Sequence, residues 1–208
     1  MKNLFLLSTV LFAILFSHQN AYADSPSFTY VELEYVANGT FAVEDEDLSV
    51  DLDLDGYALT GSVEFGIFLL QASRFELQSA RILDSNIEDS ISSIAVGLTF
   101  ELPKANVYGL IRGRRDELGL TGGGFDEDED LNSVGFEVGA RVNLTDRFEL
   151  NANLGKPTLD EGSSFGVGAQ FFITNNLGIT LDFNSVSAED DDIKAEFDTT
   201  SLGLRFSF

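Results

Sequence analysis

Three aspartates alternate in Asp51-x-Asp53-x-Asp55-Gly56, a spacing that copies the first half of a helix-flanked calcium loop, where oxygens at alternate positions wrap one ion. The glutamate that should close such a loop would fall on Ser62, and residues from Tyr57 onward alternate like a strand. The spacing therefore supports a weak Ca²⁺ or Mg²⁺ site or, as the plainer reading, a solvated acidic loop. A second set of charges is spread along the chain: Glu32, Glu34, Glu64, Glu101, Glu137, Glu149 and Asp182 against Arg112, Arg114, Arg141 and Arg205. Gathered in a confined space, such groups pair into a stiffening network or line a hydrated path that favours cations. Two of the acids sharing the general acid and base roles would be the enzymatic alternative.

Composition removes most other chemistry. The 208 residues include no cysteine, one histidine (His18) and one methionine (Met1), both in a segment expected to be cut off. The usual zinc, copper, haem and iron–sulfur ligand sets are then missing, as are Ser-His-Asp and Cys-His catalysis. No resident cofactor is expected beyond loosely held Ca²⁺ or Mg²⁺. With 35 acidic against 12 basic side chains and a net charge of -23, the chain repels nucleic acid. Gly122-Gly123-Gly124 is no phosphate cradle, because no lysine follows and Asp126 to Asp130 would repel phosphate.

The elements that must position these charges begin after residue 23. Lys2, the apolar run from Leu4 to Phe16 and Ala21-Tyr22-Ala23 form the three parts of a secretory signal peptide, residues 1–23. The alternative, a membrane anchor, falls short of the about 20 apolar residues a spanning helix needs. Residues 24–208 then form one domain without a linker.

Within it a period of two recurs. Tyr57, Leu59, Val63 and Phe65 alternate with small or polar residues, as do Ile94, Val96, Leu98 and Phe100, and Val134, Phe136, Val138, Ala140 and Val142. Phe148 to Leu154, Phe165 to Phe171, Leu177 to Phe183 and Leu202 to Phe208 repeat it. Val31 to Tyr35 and two less regular segments, around Phe68 to Leu77 and Val107 to Arg114, complete ten strands. In the irregular pair the lipid-facing set is undecided, since Phe68, Leu70 and Ala72 compete with Leu69, Gln71 and Ser73, and a bulge is expected in one of them.

Connections alternate in length. Gly66-Ile67, Pro103 to Asn106, Thr145 to Arg147 and Thr174 to Asn176 are tight turns. Between them lie Asn38 to Leu54, Ser79 to Ser90, Arg115 to Asn132, Lys156 to Gly162 and Ser185 to Asp198, expected as long loops and holding 24 of the 35 acids. Short turns on one side and long polar loops on the other describe a transmembrane antiparallel β-barrel, which must close because an open edge in hydrocarbon leaves backbone groups unpaired. A secreted β-sandwich burying the same faces against each other is the alternative.

The last strand ends on Phe208, with Phe206, Leu204 and Leu202 at every second position before it. This resembles the terminal signal by which Gram-negative outer-membrane barrels are recognised by their assembly machinery. Phe28-Thr29-Tyr30-Val31-Glu32 and Asp55 to Val63 resemble the first two strands of a family of small porin-like outer-membrane β-barrel proteins. The resemblance implies a ten-stranded barrel among outer-membrane lipids in a Gram-negative cell, and no particular activity. The chain departs in lacking Trp, which leaves Tyr30, Tyr35, Tyr57, Tyr108 and phenylalanines for an interfacial belt.

The expectation is a non-enzymatic barrel with a structural or surface-interacting role, acidic extracellular loops and the eleven charges above facing inward. A narrow cation-favouring channel is the alternative. Nothing in the sequence specifies an oligomer.

Overall fold

A computed structural model describes residues 26–45, 48–79, 85–122, 125–158, 162–190 and 193–208. The expected signal peptide, and residues 46, 47, 191 and 192 of the acidic runs, lie outside the described residues. Ten strands run in order: β1 (Tyr30–Asp45), β2 (Leu48–Phe65), β3 (Phe68–Ser79), β4 (Ser85–Leu102), β5 (Ala105–Gly122), β6 (Phe125–Thr145), β7 (Phe148–Lys156), β8 (Ser163–Phe172), β9 (Leu177–Asp190) and β10 (Ile193–Ser207). Each pairs antiparallel with its sequence neighbour, and β1 pairs with β10 from Tyr30↔Ser207 to Glu44↔Lys194, so the sheet closes on itself. Closure supplies each strand with two partners and removes the edge that hydrocarbon would not tolerate.

The first described residues, from Pro26, the C-terminal Phe208 and the short turns lie at one end, the proximal end. Gly66 occupies its two-residue turn with φ 63°, a conformation that costs a residue without Cβ little. The opposite, distal end differs from expectation. The stretches expected as long loops are mostly continuations of the strands: β1 and β2 cover all but two residues of Asn38 to Leu54, and β5 and β6 cover all but two of Arg115 to Asn132.

The two faces explain why. A membrane strand needs about 9–11 residues, whereas β6 has 21, so half of it stands clear of the lipid. In the proximal half the outer face is apolar and exposed: Leu33, Tyr57, Leu59, Phe68, Leu70, Ile94, Val96, Leu98, Ile111, Val138, Leu181 and Leu204 all point away from the lumen. In the distal half the pattern inverts. Asp53, Asp55, Arg74, Glu76, Arg115 and Glu117 occupy the outer face, while Leu52, Leu54 and Leu77 are buried inside. Where water replaces lipid outside, the barrel needs an apolar core of its own; Val36, Leu77 and Ile91 form one, with Phe75 and Phe197 packed against it.

The open question of register is resolved in the irregular strands. Phe68, Leu70 and Ala72 face outward and Leu69, Gln71 and Ser73 inward, and neither β3 nor β5 carries a bulge. The register breaks instead at the end of β6, between Asn143 and Thr145, and in β1, between Val36 and Asn38. That extra residue switches the parity of β1 and places Phe41 level with buried Leu52 and with Phe197.

Candidate functional site

The inner wall of the proximal half is where the charges gather. Alternation along β1 turns Tyr30, Glu32 and Glu34 inward, and the same alternation turns in Arg141 on β6, Glu149 on β7, Asp182 on β9 and Arg205 on β10. Arg205 donates from Nε and Nη2 to Glu32 Oε2, at 2.9 and 2.6 Å, and from Nη1 to Gln170 Oε1 at 3.1 Å. Its guanidinium lies 4.2 Å from the centre of the Tyr30 ring. Arg141 Nε donates to Glu149 Oε1 at 2.6 Å, and Arg205 Nη1 stands 3.8 Å from that same oxygen. Glu149 on β7 thus bridges Arg141 on β6 and Arg205 on β10, and all three side chains are nearly excluded from solvent. Buried pairs of this kind hold only when the remaining donors and acceptors are also occupied, which Gln170 and the aromatic faces accomplish in part.

A second layer is wetter. Arg112 donates to Glu137 at 3.1 Å, to Gln71 at 2.8 Å and to Ser93 at 3.0 Å, and Tyr108 donates its hydroxyl to Glu137 at 2.9 Å. Arg114 pairs with Asp116 at 2.5 Å on its own strand. Glu34 accepts from Ser201 at 3.0 Å and Asp182 from Asn151 at 3.2 Å, and neither is bonded to an arginine among the described residues. Glu64 is half-buried near the proximal end. Glu101 makes no ion pair among the described residues: it is exposed at the proximal rim beside the Pro103-Lys104 turn, because β4 ends one residue later.

Asp51, Asp53 and Asp55 lie in β2 and not in a loop. Asp53 and Asp55 are exposed on the outer face just beyond Tyr57, two residues apart along an extended chain, a geometry that does not wrap an ion as a calcium loop does.

The tyrosines divide. Tyr35 and Tyr57 face outward with ring centres 5.3 Å apart, as an interfacial belt requires, but Tyr30 and Tyr108 face the lumen. Tyr30 shares the parity of Glu32 and Glu34, which was a usable signal in the sequence; Gln71, Gln170 and Asp116 carried none beyond position.

The largest feature that sequence reasoning missed is the segment before β1. Pro26, Ser27 and Phe28 enter the proximal end of the lumen. Asn106 Nδ2 donates to the Pro26 carbonyl at 2.5 Å and Arg141 Nη1 to the Ser27 carbonyl at 2.7 Å. Phe28, 3% exposed, packs with Leu69, Ala95 and Leu110 and meets Tyr108 edge-on at 5.3 Å. Distal to this closure lies a cavity of about 290 Å³ whose wall runs from Arg114 and Lys156 near the mouth down to Glu32, Asp182 and Arg205.

A closed antiparallel barrel with an apolar outer girdle and a charged, ion-paired lumen is the architecture of one class of membrane protein. The chain is an outer-membrane β-barrel. No protein-family model and no curated protein sequence matches it. Among solved structures, it is similar to the outer membrane protease OmpT from Escherichia coli, with 10% identity, 91% of this chain and 100% of the other covered, and a TM-score of 0.56. It is also similar to Neisserial surface protein A, with 11% identity, 88% and 98% covered, and a TM-score of 0.50. A third likeness is the translocator domain of the autotransporter NalP from Neisseria meningitidis, with 10% identity, 94% and 92% covered, and a TM-score of 0.50. At such identities the shared property is the fold. The barrel therefore has the fold class and the outer-membrane setting expected of it, and its secreted-sandwich alternative is set aside by closure.

Proposed function

We propose that this outer-membrane barrel is a non-enzymatic structural or surface-interacting protein whose lumen is a dead end. The single observation that supports this reading is the Pro26–Phe28 segment, held by Asn106 and Arg141 across the proximal end of the lumen. A through-path would have to displace Phe28 from its apolar contacts and break hydrogen bonds to a buried arginine. The working surface is then the distal rim. Asp51, Asp53 and Asp55, and the acids that the sequence carries in the runs Glu44 to Asp47, Asp126 to Asp130 and Glu189 to Asp192, attract Ca²⁺ or Mg²⁺ loosely and draw lipid phosphates to the same ions. The leader of residues 1–23 delivers the chain for export, and Phe208, whose ring meets Phe206 at 4.9 Å, ends the strand by which assembly machinery selects it. The likeness to a protease concerns the fold alone.

A narrow cation-favouring channel is the second reading, favoured by six carboxylates against four arginines among the inner-wall charges as a whole, although the cavity itself is lined by three carboxylates against four arginines and Lys156. Planar-bilayer recording of the refolded barrel separates the two. The dead-end reading expects no discrete conductance steps; regular cation-selective steps would overturn it.

A further inference from the structure

Four acids, Glu32, Glu34, Glu149 and Asp182, share the deepest part of the lumen with two arginines, Arg141 and Arg205. The two acids left over are adjacent. One oxygen from each of Glu32, Glu34 and Asp182 lies within 4.8 Å of the others. Arg205 occupies only Glu32 Oε2, and the other oxygen of this residue, 3% exposed, has no partner among the described residues; neither has Asp182 Oδ2.

A second observation is independent of the carboxylates. The Thr180 hydroxyl is unpartnered in a residue only 1% exposed. It stands beside the cluster across Gly203: a Cβ at that glycine would meet Thr180 Oγ1 at 2.4 Å and Glu34 Cγ at 2.9 Å. Glycine at position 203 is thus what lets the hydroxyl and the carboxylate stem converge, and Gly168 does the same for Asp182, whose Oδ1 would meet a Cβ there. Two glycines clear the wall around this group of oxygens, of which Glu32 Oε1, Asp182 Oδ2 and Thr180 Oγ1 have no hydrogen-bond partner among the described residues.

Three carboxylates so close in a medium of low dielectric repel strongly, and either protons or a cation between them relieve that repulsion. The donor set is oxygen alone, without nitrogen or sulfur, which selects a hard cation. Calcium, with Ca–O distances of about 2.3–2.6 Å, spans oxygens up to roughly 5 Å apart and accepts irregular coordination. An entry route exists, because Glu32 and Asp182 line the cavity that reaches Arg114 and Lys156 at the distal mouth. We propose that Glu32, Glu34 and Asp182, completed by the Thr180 hydroxyl, form an internal calcium site entered from the distal side. This site is separate from the outer-face aspartates, and it does not rest on whether the barrel conducts.

Calorimetric titration of the refolded, detergent-solubilised full barrel with CaCl₂, from micromolar to millimolar, tests it. One saturable equivalent per chain is expected, unchanged by 150 mM NaCl, together with a rise in the unfolding temperature. Glu34→Gln and Asp182→Asn, both near-isosteric, should each weaken binding by at least tenfold. Asp53→Asn with Asp55→Asn should leave it intact. Heat-modifiable gel mobility confirms that each variant is folded before titration, and either lumen variant alone suffices. The proposal is overturned if the wild type shows no saturable calcium heat, if a folded Glu34→Gln or Asp182→Asn barrel binds as the wild type does, or if the outer-face double variant abolishes binding.

Discussion

The membrane half of this barrel is built from ten strands and the distal half from the eight that are longer than β7 and β8, with opposite instructions. On β2 the odd positions from Asp53 to Leu59 face outward, yet they change from Tyr57 and Leu59 to Asp55 and Asp53 within two residues, while the even positions change from Ala58 and Ser62 to Leu54 and Leu52. The solvent outside decides which face carries the apolar residues. In lipid the lumen is left to hold the charges, which must pair there; in water the lumen holds the core and the charges move out. Alternation alone therefore locates a strand, and the chemistry of its two faces tells which medium surrounds it.

Removing an arginine from the lumen of the membrane half should break this comparison most severely. Arg205→Ala leaves Glu32 without its partner and exposes Glu149 to one arginine instead of two. Breaking a buried pair on one side costs about 3–5 kcal/mol, so urea unfolding in detergent should show a loss in that range, with heat-modifiable mobility lost at lower temperature. Next in size is a charge on the lipid face. Val138→Arg, on the outer face of β6, should cost about 2–4 kcal/mol when unfolding is measured from lipid vesicles. The same chemistry beyond the boundary should be nearly silent: Asp53→Arg, exposed on the outer face of β2, is expected to stay within about 0.5 kcal/mol of the wild type. Equal costs at positions 138 and 53 would mean that the boundary is misplaced.

The strands that were hardest to read in the sequence share one physical cause. In β3 and β5 both faces carry apolar residues because their lumen positions, Leu69 and Leu110, pack on Phe28 of the inserted segment. Nothing local to those strands reports that an outside segment will cover them. The seven regular strands were legible because lipid on one side and charge or small residues on the other enforce strict alternation. The distal extensions were misread as loops for a related reason: Asp51, Leu52, Asp53, Leu54 and Asp55 alternate as well as any strand, but their inverted chemistry resembles a solvated turn or a cation loop. Of the lumen charges, ten lie on the expected inner wall, and Glu101 departs because it falls at the rim where β4 ends. Which acid meets which arginine depends on the tilt and stagger of strands far apart in sequence, as Arg205 and Glu32 are.

Whether the lumen opens at its distal end and is closed at its proximal end is directly measurable, because the chain has no cysteine. Two near-isosteric single substitutions place one thiol in the open cavity and one in the closed wall below it: Ser164→Cys on the wall of the distal cavity, and Ser62→Cys at a buried inner position, 2% exposed, beside Tyr30 and Gln71. Each folded barrel in detergent is exposed from both ends to a bulky, charged maleimide. The account predicts that Ser164→Cys reacts within minutes and that Ser62→Cys reacts only after heat unfolding. Comparable labelling of both folded barrels would contradict a lumen closed by its own N-terminal segment.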